Sequence, residues 1–192
     1  MNAHLALTLA EIYDLEKPRL STVDYLAEHG IDINAIAGFC GSPTIAPITL
    51  LPNRLFDLPD HGADAVDGAV IEARSEDGES VIDLVAWPIN DPANVRTLCG
   101  LAPILGLWAA FNAATYVFGS PLVIHRTPLD WLKANCEGAA VVIPKLAARA
   151  FLDLPGRIDA ADLVHQRELK GLLNDMISSV EIVSPKTIRR AA

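Results

Sequence analysis

The stretch that decides the fold is GAVIEARSEDGESVIDLVAW, residues 68–87. Two runs rich in apolar and β-branched residues flank Ser75-Glu76-Asp77-Gly78. Asp-Gly between such runs is a strong short-range signal for a β-hairpin, because the turn needs residues that tolerate a left-handed backbone. Val70, Glu72 and Arg74 alternate with Ile71 and Ala73, and Val81, Asp83 and Val85 alternate with Ile82 and Leu84. A period of two sends neighbouring side chains to opposite faces, so the spacing predicts one face carrying charge and one without, at least in part.

Upstream, LALTLAEIYDL (residues 5–15) reads as a helix that ends near Pro18. STVDYLAEHG reads as a second, with Ser21 as cap, Asp24 in the first turn and Gly30 as terminator. DINAIAG gives a short third, capped by Asp32 and stopped at Gly38. GSPTIAPITLLPN sets Pro43 and Pro47 in an apolar run and reads as an extended edge segment, because proline donates nothing to a ladder. The next segment, RLFDLPDHGADAVDG, reads as a loop.

Downstream of the hairpin, NDPANVRTLCG reads as a turn, and the apolar residues 104–118 as a buried helix through Trp108. PLVIHR reads as a short strand. TPLDWLKANCEG is punctuated as a helix, with Thr127 as cap, Pro128 in the first position and Gly138 just past the end. AAVVI gives a strand, PKLAARAFLDL a helix, DAADLVHQRELKGLLNDMI an amphipathic helix and VEIV a closing strand. The order predicts one α+β domain over residues 1–192, a hairpin-containing sheet packed against several helices.

Composition narrows the function classes. The chain has 192 residues, 51% of them hydrophobic, enough for a core without metals or disulfides. Fifteen basic residues against 24 acidic ones argue against an extended nucleic-acid surface, which draws its affinity from Lys and Arg on phosphates. Residues 97–124 carry no charge. About 20 apolar residues span a bilayer, but Pro103, Asn112 and the Gly119-Ser120-Pro121 break favour a core segment over a membrane span. Cys40, Cys99 and Cys136 are odd in number and far apart, so no disulfide framework is expected and a reducing cytoplasm fits. The first residues lack a basic n-region, so no signal peptide is expected. No phosphate loop, GxGxxG, HExxH or GxSxG occurs, which removes the commonest nucleotide, dehydrogenase, zinc-protease and hydrolase signatures.

Four groups carry chemistry. His125, Arg126 and Asp130, with Glu137 a further candidate beside them, lie where a strand gives way to a helix N-terminus, a setting for a small anion with His125 as acid, base or donor. The same residues also suit plain structure, with Asp130 facing the helix dipole and Arg126 paired to it. Asp57, Asp60, His61 and Asp64, with Asp67 after them, offer ligands for a divalent metal, without the spacing of a calcium loop. Cys40 could be a nucleophile only with a nearby base and an electropositive setting. His165 and Glu168 share a helix face and read as a solvated charged stripe. Trp87, Trp108 and Trp131 read as core, with Trp87 the one placed to line a groove.

DLVAWPINDPANVRTLCG followed by SPLVIHRTPLDWLKANCEGAAVVI resembles uncharacterised proteins of bacterial prophages and mobile elements. The resemblance covers the middle of the chain and brings no assigned catalytic residues or cofactor. It implies an accessory role in mobile-element DNA processing, through binding a protein of that machinery. The expectation is therefore a soluble cytoplasmic interaction module. The alternative is a small enzyme or ligand-binding domain that uses His125, Arg126 and Asp130 on an anionic small molecule.

Overall fold

The computed structural model describes residues 20–37, 41, 43–59 and 64–178. The expected helix over residues 5–15 and the closing strand VEIV lie outside them. The chain opens with α1 (Leu20–Glu28) and α2 (Ile33–Ala37), the latter capped through the Asp32 carboxylate on the Asn34 amide. An antiparallel five-stranded sheet follows: β1 (Thr44–Leu50), β2 (Phe56–Asp57), β3 (Val66–Arg74), β4 (Val81–Pro88) and β5 (Arg96–Thr97), in the order β2-β1-β3-β4-β5. The β3–β4 hairpin forms as its turn chemistry dictates. Gly78 takes φ +75, and Asp77 accepts from the amides of Glu79 and Ser80. β1 pairs with β3 along most of its length, and β2 reaches only Thr49 and Leu50. Pro47 therefore falls where β1 has one neighbour, the placement that a missing amide requires, and Pro43 precedes the strand.

The hairpin differs from expectation in one respect. Both of its faces are covered. Ile71, Val85 and Trp87 enter a core with Tyr25, Leu26 and Ile36, while Val70, Leu84 and Ala86 enter a second with Ala46, Ile48 and Phe56. Asp83, expected on a charged outer face, is fully buried. Its Oδ1 accepts from the amides of Leu84 (2.8 Å) and Cys99 (2.9 Å), and its Oδ2 from Leu101 (2.6 Å) and Ala102 (3.1 Å). Four amide donors replace the water that this carboxylate gave up. They also fix the crossing from β5 into the second half of the molecule.

That half is a mixed sheet of β6 (Ile104–Leu105), β7 (Leu122–His125), β8 (Ala139–Val141) and β9 (Ile158–Ala160), in the order β6-β8-β7-β9. Between β6 and β7 lie α3 (Leu107–Phe111) and a 3-10 segment, Ala113–Gly119. The buried helix expected over 104–118 is thus broken into three pieces. Gly106 takes φ +77, and the residues from Val117 to Ser120 are exposed. β7, α4 (Pro128–Lys133) and β8 make one parallel unit; α5 (Pro144–Leu152) then carries the chain to β9, parallel to β7 on its other side, and α6 (Leu163–Ser178) follows. α4 contributes Leu129, Trp131 and Leu132 to the core shared with the first sheet. Ile104, Leu122 and Ile124 pack with Phe151 and Leu169 from α5 and α6.

Two glycines let these strands approach. A Cβ on Gly138, which has φ +80, would lie 2.3 Å from the Val123 carbonyl oxygen, and one on Gly106 would lie 2.3 Å from the Gly138 carbonyl oxygen. Cys136 is disulfide-bonded and Cys99 is free, which corrects the expectation of three reduced cysteines. Among the described residues no helix is long and apolar enough to cross a membrane.

Candidate functional site

β7 runs Leu122, Val123, Ile124, His125, and its side chains alternate. Leu122 and Ile124 are fully buried, whereas Val123 is 40% exposed and His125 half-buried. The His125 face opens into a cavity of about 780 Å³ walled by α3, the start of β7 and the turn from α4 to β8. That volume is within the range of ligand and side-chain pockets. Trp108, Pro121 and Val123 form apolar walls, and His125, Asn135 and Glu137 supply polar atoms. His125 donates from Nε2 to the Glu137 carbonyl oxygen at 2.9 Å, because a carbonyl only accepts. In the neutral ring this leaves Nδ1 as an acceptor.

The turn that forms one wall has an unusual backbone. Thr127 caps α4 by accepting from the Asp130 amide, with Pro128 in the first turn, as the punctuation demands. The helix stops at Lys133, well short of Gly138. Asn135 (φ +54) and Cys136 (φ +62) then take consecutive left-handed conformations. Asn tolerates that region; a side chain such as Cys pays about 1–2 kcal/mol for it. A third non-glycine in this region is Phe118 (φ +59), three residues before Pro121, and its side chain is fully exposed at 104%. Val117 beside it is 49% exposed.

The residues singled out in the sequence are dispersed over different tasks. Arg126 leaves the cavity and makes a two-pronged contact with Asp162 (3.1 and 2.9 Å) and a third bond to Glu168 (3.1 Å). Asp162 also caps α6 through the amides of Val164 and His165. The guanidinium and these amides hold the Asp162 carboxyl well below the usual carboxylate range. Asp130 accepts from the Thr127 hydroxyl at 2.8 Å and completes that cap. His125, Arg126 and Asp130 therefore each have a structural partner, although β7 ends at the point where crossovers to β8 and β9 diverge, the usual crevice in open α/β sheets. His165, read as solvated, is instead 6% exposed and accepts at Nδ1 from the Ala161 amide. Burial, then the charge of Arg126, lowers its pKa.

Of the proposed metal ligands, Asp57 accepts from the adjacent Leu58 amide and Asp64 is exposed; Asp60 and His61 lie outside the described residues, as does Cys40. Among the described residues no group of three or more His, Cys, Asp or Glu is placed to hold a metal. Trp87 is core, its Nε1 donating to the Tyr25 hydroxyl at 3.1 Å; Trp131 is core too, donating to the Gly138 carbonyl. Trp108 is the tryptophan that lines a cavity. Sequence reasoning missed Phe118 and Asn135; Glu137 belongs to the group read from the sequence beside His125. The one advance signal was the gap between the last helix-forming residue, Lys133, and Gly138. No protein-family model, curated protein or solved structure matches this chain.

Proposed function

We propose that the chain is an accessory binding module whose contact face is the end of the mixed sheet around Val117, Phe118, Pro121 and Val123. The observation that carries this reading is Phe118. A fully exposed phenylalanine in a left-handed backbone costs conformational energy and hides no apolar area within its own fold. Exposed apolar residues beside an open cavity are the chemistry of an interface centre. The partner is another protein. Its matching surface is basic, because the chain carries a formal net charge of −9 and attracts cationic faces over the longer approach. The resemblance of residues 83–100 and 120–143 to prophage and mobile-element proteins supports placing that partner in mobile-element DNA processing.

The test compares tagged wild-type chain, Phe118→Asp and Glu76→Lys, each purified from the native host at low salt and sized by gel filtration. Glu76 is in the hairpin turn, outside the proposed face. The expected result is a larger species for wild type and Glu76→Lys and the bare monomer for Phe118→Asp. Equal elution of all three contradicts the reading.

A further inference from the structure

The cavity beside Phe118 has a definite chemistry. Its described walls contain one full charge, the exposed Glu137 carboxylate, and no lysine or arginine. His125 adds an acceptor nitrogen once Nε2 is bonded to the Glu137 carbonyl. Trp108 is part of the wall, and an indole is the side chain that attracts cations most strongly among the aromatics. Pro121 and Val123 complete an apolar channel suited to methylene groups. Such a site favours a donor with positive charge on an apolar stem, and it repels a carboxylate.

We infer that this cavity receives a lysine or arginine side chain of the partner protein. The stem lies along Trp108, Pro121 and Val123, and the charged head reaches Glu137. The inference rests on the reading of this end of the molecule as the contact face. Long basic side chains bury their stems and keep the head at a polar rim, and the cavity has both apolar walls and an exposed glutamate. A cavity of about 780 Å³ also holds apolar neighbours of that side chain. The left-handed backbone at Asn135 and Cys136 belongs to the same wall, and non-glycine residues in that region concentrate where a site is held in a set shape. Of the five non-glycine residues with positive φ among those described, these two line the cavity and Phe118 stands three residues from Pro121.

The experiment titrates the full-length, 15N-labelled chain with four probes: n-butylammonium, pentanoate, Ac-Leu-Lys-Leu-NH2 and the same peptide with norleucine for lysine. The lysine peptide should bind saturably and shift amides at residues 134–138. The norleucine peptide and pentanoate should bind at least about tenfold more weakly, as loss of one charge-assisted contact implies. Glu137→Gln should cost the lysine peptide a similar factor, and raised salt should do so in wild type alone. Val123→Trp fills the channel from an exposed strand position, where an aromatic is tolerated, and should abolish binding with the fold intact. Equal binding of lysine and norleucine peptides, or an unchanged affinity in Glu137→Gln, overturns the inference. Tighter binding of n-butylammonium than of the peptide also overturns it, in favour of a free amine. Glu137→Gln separates the two proposals, because Glu137 is not among the residues of the contact face: if the lysine and norleucine peptides bind wild type alike while Glu137→Gln keeps the larger species of the gel-filtration test, the contact face stands without this occupant.

Discussion

In the five-stranded sheet both faces of the β3–β4 hairpin are covered, and the charge at its centre, Asp83, is closed off by four backbone amides. In the four-stranded sheet the charges are on show. Arg126, Asp162 and Glu168 pair at the surface, and Val123 stands 40% exposed above an open cavity. One sheet uses polar groups to fix the chain, and the other leaves a face open. The difference teaches where a charge is worth most: a buried carboxylate with every lone pair engaged organises distant segments, whereas a surface ion pair adds little.

The comparison can be broken first at Asp83. Asp83→Ala strands four backbone amides, those of Leu84 and Ala102 buried, and should lower unfolding free energy by about 4 kcal/mol, measured by urea denaturation. A loss below about 1 kcal/mol would mean that water replaces the carboxylate and that the sheet is not clasped by it. Gly138→Ala comes next. Its Cβ meets a backbone oxygen and its φ is left-handed, so a loss of about 2–4 kcal/mol is expected by the same assay. An unchanged midpoint would show that β7 and β8 do not approach as described. Thr127→Ala removes a helix cap and should cost about 1 kcal/mol.

The smallest effect is the surface triad. Arg126→Ala should destabilise less than Thr127→Ala at pH 7. Its mark is in the pH dependence. Asp162 has a depressed folded pKa, so its contribution is present above the ordinary value of 3.8 and is lost as pH falls below it. His165, whose pKa is lowered by burial and then by Arg126 against the opposing pull of Glu168 and Asp162, adds a loss that begins below 6.5. Stability measured from pH 7 to pH 3 should therefore fall less steeply in Arg126→Ala than in wild type. Parallel curves would mean that the pairing is absent in solution.

The hairpin was legible because its information is local: alternation and an Asp-Gly turn within twenty residues. The unit β7–α4–β8 was legible for the same reason, through Thr127 and Pro128. Asp83 was misread as a surface charge because its partners come from 16 to 19 residues away, outside any local pattern. Residues 104–118 were misread as one buried helix because an uncharged apolar run has no polar face to reveal its period. The glycine at 106 and the outward turn at Val117 and Phe118 decide that segment, and both depend on tertiary packing. The cavity was invisible for the same reason. Trp108, His125 and Glu137 meet only when α3, β7 and the α4–β8 turn are assembled.

The most direct measurement places a photo-crosslinking benzoylphenylalanine at position 118, and separately at position 76, in the native host. The account predicts a discrete protein adduct from position 118 and none from position 76. Adducts of equal yield from both positions, or none from position 118, would contradict it.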